Sequence, residues 1–271
     1  MERALPSGLV ARLRSAGCVF AEDEAELLVS AARTPGELEA MVGRRARGLP
    51  LEHVVGWAQF CGLRIAVDPG VFVPRRRTEF LVAEAAALLG RAAERPRVVI
   101  DLCCGSGAVG AALAARLDGV ELHAADLDPA AARCARRNLS GGRARVYRGD
   151  LFEALPAWLR GRPELVVANV PYVPSGELGL LPAEAREHEP ALALDGGADG
   201  LDVLRRVAAA APRWLAPGGH MLSETGRHQA SRAIEVLRAH GLAARARSSE
   251  DLDTAVVIGS LPRRAAVSAG A

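Results

Sequence analysis

The chain has 271 residues, 50% hydrophobic and 24% charged, with a formal net charge of +2. That length holds one large domain, or a main domain with a small companion, because single cores stop growing near about 250 residues. Its 34 basic residues, all arginine, are nearly balanced by 32 acids, which argues against a dedicated binder of phosphate backbones. The cysteines Cys18, Cys61, Cys103, Cys104 and Cys134 are odd in number and show no CxxC spacing, so neither a disulfide framework nor a metal site is predicted. Residues 1–20 lack a signal-peptide core, and no run approaches the roughly 18 apolar residues of a membrane span, so the expected location is the cytoplasm.

In chain order, residues 1–55 read as a small helical domain. Leu9, Leu13 and Ala16 share one face, as do Ala25, Leu28 and Ala32, then Leu38 and Val42, and Pro35 marks a helix start. Residues 56–75 read as a connecting hairpin, because the apolar residues from Trp57 to Val67 cluster around Gly62. From residue 76 to 262 β-branched runs alternate with helical stretches: strands at 97–101, 120–125, 144–147, 165–168, 220–224, 243–247 and 255–258. The alternation predicts an α/β fold with a doubly wound, mostly parallel sheet, and the short turn joining the last two strands predicts an antiparallel pair at one edge. Residues 263–271 read as a flexible tail.

In such sheets ligands lie beyond the carboxyl ends of the strands. The first strand of the domain ends in Asp101-Leu102-Cys103-Cys104-Gly105-Ser106-Gly107, where Gly105 and Gly107 permit a tight turn and close backbone approach. A carboxylate beside that loop repels phosphate and accepts a cation, and the full GxGxxG of dinucleotide binding is missing. The second strand ends in Asp126-Leu127-Asp128, an acid suited to two ribose hydroxyls. The third is followed by Gly149-Asp150-Leu151-Phe152, a polar acceptor beside apolar side chains that suit an adenine ring. Together these describe an adenosine with a cationic, sulfonium-bearing tail.

The fourth strand runs into Asn169-Val170-Pro171-Tyr172, which places a carboxamide, a fixed turn and an aromatic ring at the switch point beside the first strand. The Asn169 side-chain oxygen and the Val170 carbonyl, held extended by the following proline, can accept two N–H bonds from one planar NH2 group. Amide, guanidine and arylamine nitrogens have delocalised lone pairs, so alignment near 3 Å from the methyl must supply much of the catalysis, on the order of 7 kcal/mol. No strong general base is then needed.

With these motifs, Pro50-Leu51-Glu52-His53-Val54-Val55-Gly56, Phe72-Val73-Pro74-Arg75 with Thr78-Glu79, His188-Glu189-Pro190, Asp195 to Leu201 and Leu215 to Gly219, nearly the whole chain resembles the HemK-like (PrmC) release-factor glutamine N5-methyltransferases. The resemblance implies a Rossmann-like, class I S-adenosylmethionine-dependent methyltransferase with a helical substrate-recognition domain. It implies cofactor binding by Asp101, Cys103, Gly105, Gly107, Asp126, Leu127, Asp150, Leu151 and Asn169. It also implies that Asn169 to Tyr172, with Arg75, Thr78 and Glu79, hold the glutamine of a release factor's Gly-Gly-Gln loop.

The chain departs from the family pattern at three places: Val170 replaces a proline, Cys103 a glycine, and Arg76-Arg77 stand where the family usually has Pro or Glu followed by an acid. Arg75-Arg76-Arg77 otherwise read as solvated surface. Glu224 reads as a support at the sheet mouth, and His188-Glu189-Pro190 as a structural turn. The altered motif leaves open a small-molecule acceptor such as the guanidinium of free arginine, received by Glu177, Glu184 and Glu187. An adenine-N6 nucleic-acid acceptor shares the planar NH2 but lacks a basic patch. A silent binding protein is disfavoured by Asn169.

Overall fold

The computed structural model describes residues 6–90 and 96–263, so the expected tail lies almost wholly outside the described residues. Four helices open the chain: α1 (Leu9–Ser15), α2 (Ala21–Ala31), α3 (Pro35–Ala46) and α4 (Leu51–Val55). The helix start at Pro35 rests on Thr34, whose side chain accepts the Glu37 N–H while proline occupies the first turn, where its missing donor costs nothing. Leu9, Leu13, Ala25, Leu28, Met41, Val42 and Val54 make a core of their own, including most of the residues whose helical spacing pointed inward.

The hairpin forms as β1 (Trp57–Phe60) and β2 (Leu63–Ala66), antiparallel, with Gly62 left-handed at its tip. It is more than a tether. Phe60 and Ile65 are buried with Leu81, Val82 and Leu113, and Ala66 exchanges hydrogen bonds with the Asn138 side chain at 2.9 and 2.8 Å. Hairpin burial therefore couples this segment to the main body.

Beyond it come α5 (Glu79–Leu89), β3 (Arg97–Leu102), α6 (Ala108–Arg116), β4 (Val120–Asp126), α7 (Pro129–Asn138), β5 (Ala144–Arg148) and β6 (Leu165–Ala168). They are followed by α8 (Ala183–His188), α9 (Asp202–Trp214), β7 (His220–Thr225), α10 (Ala230–Ala239), β8 (Ala243–Ser249) and β9 (Thr254–Ser260). The seven strands from β3 onward form one sheet in the order β5-β4-β3-β6-β7-β9-β8. β3 to β7 are mutually parallel, and β9 lies antiparallel between β7 and the edge strand β8, as the short last turn predicts.

Alternate residues of β3 divide between the two faces. Val98, Ile100 and Leu102 meet α9 and α10 through Leu204, Val207 and Leu237, while Val99 meets α5, α6 and α7 through Leu81, Leu113 and Ala135. Cover on both faces explains why these strands are near-continuous apolar runs. The chain moves outward from β3 to β5, then returns to β6 on the other side of β3, which opens a crevice at the carboxyl ends of β3, β4 and β6. Among the described residues no helix is long and apolar enough to cross a membrane.

Candidate active site

A pocket fills that crevice. It gathers Asp101, Cys103, Gly105, Asp126, Leu127, Asp150, Leu151 and Asn169 to Tyr172 with Thr78. Each of these was singled out in the sequence as cofactor- or acceptor-binding. Gly107 supports the loop from behind: it is left-handed at φ 78°, and a Cβ there would meet Leu139 at 3.1 Å and Ala135 at 3.2 Å. Arg75 and Glu79 stand outside the lining. Glu79 accepts the Cys61 N–H at 2.7 Å and so pins the hairpin tip, while Arg75 pairs at 2.5 Å with Glu189, whose side chain is 1% exposed.

At the cofactor end, Asp126 is oriented by two backbone N–H groups, from Gly105 at 2.8 Å and from Asp128 at 2.9 Å. Both its oxygens keep free lone pairs for ligand hydroxyls. Asp128 in turn caps α7, accepting the Ala130 N–H at 2.8 Å. Asp101 is buried and accepts the Gly110 N–H at 2.9 Å; desolvation, reinforced by Asp126 and opposed by that N–H, pushes it up to about 7. Among the described residues the carboxyl has no cationic partner, a deficit that a positively charged ligand would fill.

Cys103 takes a left-handed φ of 53°, the conformation that explains glycine in the family pattern, and Leu151 does the same at 46°. Burial, then Asp126, Asp101 and Asp150, push the Cys103 thiol far up, so it stays protonated and is no nucleophile. Asp150 pairs with Arg206 at 2.5 Å, a partner that the sequence pattern did not reveal.

The turn after β6, Asn169 to Tyr172, is held from several sides. Ser223 Oγ donates to the Ala168 carbonyl at 2.7 Å, Gln229 Nε2 to the Tyr172 carbonyl at 2.9 Å, and Val173 N–H to the Leu194 carbonyl at 3.0 Å. Gly196 and Gly200 press against the turn: a Cβ on Gly196 would sit 2.7 Å from the Pro171 oxygen. Tyr172 donates its hydroxyl to Glu224 at 2.9 Å, and Arg77 Nε reaches both the Tyr172 oxygen at 3.0 Å and Glu224 at 3.1 Å. Glu224 holds Tyr172 at the sheet mouth, and Arg77, its side chain still 43% exposed to solvent, also lines the pocket.

Two ion pairs anchor the segment after the turn. Arg45 of α3 lies between Glu24 and Glu184, each at 2.5 Å, and Arg75 holds Glu189, which also accepts the Val73 N–H. Glu184 and Glu189 thus tie the segment after the turn to α3 and to the stretch around Val73 and Arg75. Phe72, Pro190, Leu192 and Leu194 add an apolar rim that the sequence did not identify as a pocket wall, because nothing in their spacing distinguishes them from core.

One atom in this wall is unsatisfied. Asn169 Nδ2 makes a long contact to Thr78 Oγ1 at 3.5 Å, and its Oδ1 is buried with no partner. Buried acceptors are nearly always paired, so this one is poised for a ligand N–H. The anchored Asp126, the uncompensated Asp101 and the glycine loop fit S-adenosyl-L-methionine, which supplies the electrophilic methyl when bound.

Fold and site define a class I S-adenosylmethionine-dependent N-methyltransferase. The methyltransferase small domain family matches residues 62–180. The chain is 40% identical over 205 residues to the release factor glutamine methyltransferase of Geobacter sulfurreducens, covering 74% of this chain and 70% of that one. It is 41% identical over 204 residues to the 4-amino-L-phenylalanine/4-methylamino-L-phenylalanine methyltransferase of Streptomyces pristinaespiralis, covering 74% and 69%. A methyltransferase structure from Pyrococcus furiosus matches the fold with a TM-score of 0.56 at 16% identity, over 83% of this chain and 98% of that one. The chain belongs to the release factor glutamine methyltransferase family.

Proposed function

We propose that the enzyme transfers the methyl group of S-adenosylmethionine to the side-chain amide nitrogen of the glutamine in a release factor's Gly-Gly-Gln loop, a reaction of the cytoplasm. The observation that carries this reading is the buried, unpartnered Asn169 Oδ1. With the Val170 carbonyl, it would accept both N–H bonds of the amide and turn the nitrogen toward the methyl. Pro171 limits the backbone at that point, and Tyr172, fixed by Glu224 and Arg77, closes one side. Holding a delocalised nitrogen in line replaces activation by a base; the methylated nitrogen sheds its extra proton after transfer.

The helical domain would supply recognition of a macromolecular acceptor, since Arg45 joins it directly to the lip that follows the acceptor turn. Transfer of label from S-adenosylmethionine to an intact release factor tests the proposal. Absence of transfer, or equal transfer after the Gly-Gly-Gln glutamine is replaced, would refute it. The same assay with 4-amino-L-phenylalanine distinguishes an arylamine acceptor, another planar nitrogen, from the amide.

A further inference from the structure

The pocket wall carries Asp101, Asp126, Asp128, Asp150 and Asp195, but only two arginines, Arg77 and Arg206, among the described residues. Arg206 is engaged by Asp150. Arg77 uses its Nε for both Tyr172 and Glu224, and its two Nη groups have no partner among the described residues. Burial opposes the charge on Arg77, and the contacts with Tyr172 and Glu224 more than offset it, so the guanidinium is a permanent cation.

The cofactor ends in an amino acid whose carboxylate cannot be left unpaired in a wall of aspartates. Arg77 follows the Phe72 and Pro74 rim and precedes Thr78, which touches Asn169, so it stands in the wall near the point where methyl donor and acceptor must meet. An amide acceptor brings no carboxylate of its own, whereas the cofactor always does. We propose that Arg77 binds the methionine carboxylate of S-adenosylmethionine through its Nη groups, while Nε keeps Tyr172 in place. One residue then links cofactor seating to the acceptor turn.

The test uses two nucleosides that differ at that end: S-adenosylhomocysteine, which has the carboxylate, and 5′-methylthioadenosine, which lacks the amino-acid end. Calorimetric titration of the full chain gives the ratio of their affinities. Arg77→Gln should lower the affinity for S-adenosylhomocysteine about tenfold or more, the value of a charge-assisted hydrogen bond, and leave methylthioadenosine unchanged. Equal loss for both, or loss for neither, overturns the proposal. If Arg77→Gln melts early, the ratio is read in Arg77→Lys, where retained charge without the planar fork should reduce it about threefold; an unchanged ratio there also overturns it. The readout involves no acceptor, so it is independent of the release-factor proposal.

Discussion

Asn169→Ala separates alignment from stability more cleanly than any other change in the site. The side chain contributes little to folding: its Nδ2 makes one contact at the 3.5 Å limit and its Oδ1 makes none. Removing a buried, unpaired oxygen relieves a desolvation cost of about 1–3 kcal/mol, which the small void left behind largely cancels. The melting temperature should therefore move by less than about 3 °C, equivalent to about 1 kcal/mol in a chain of this size. Catalysis should respond very differently. The lost acceptor is worth about 1–3 kcal/mol, and misplacing the nitrogen by about 1 Å costs another factor of about 10². We expect kcat to fall by about 10³-fold, with cofactor affinity changed by no more than about threefold. Label transfer to a release factor, calorimetry and thermal melting measure the three quantities. A kcat within about tenfold of the parent, or a fall in melting temperature large enough to explain the lost activity, would refute the assignment of Asn169 to the acceptor.

Asp101 sits at about 7 in the free protein and a bound cation favours its ionised form, so its carboxyl releases a proton on binding. Affinity for S-adenosylmethionine should weaken as pH falls below about 7 and level off above it; Asp101→Asn should flatten the profile, and a parent profile already flat would contradict the reasoning. Gly200→Ala places a Cβ 2.2 Å from the Tyr172 oxygen and 2.3 Å from Gln229 Nε2 at a φ of +75°. That variant should keep cofactor binding and lose methyl transfer, because the acceptor turn must shift; normal turnover would exclude the turn as the acceptor site. Glu189→Ala strands the Val73 N–H and unpairs Arg75, so it should lower stability by about 2 kcal/mol, or roughly 5 °C in a circular dichroism melt. A change under about 1 °C would show that the pair is not structural.

Much of the fold and the site's chemistry is legible in the chain because it is locally encoded. The apolar runs from Val98 to Ile100 and from Leu165 to Val167 read as strands, and Asp101, Asp126 and Asn169, at or beside the carboxyl ends of β3, β4 and β6, are brought together by topology alone. Gly107 and the proline after Val170 carry their backbone constraints in their residue types. The same holds for Thr34-Pro35, where cap and first turn lie next to each other.

Other features depend on partners distant in sequence. Arg77 meets Glu224 across 147 residues, and Arg45 meets Glu184 across 139, so no periodicity could show that Arg77 lines the pocket, or that α3 holds the segment after the Asn169 to Tyr172 turn. Thr78 faces the pocket while Glu79, its neighbour, turns to the hairpin tip. Composition and local pattern determine which elements form and which atoms can react. Only tertiary packing decides which long, charged side chains meet, because their reach and flexibility allow many partners until the core fixes the distances between them.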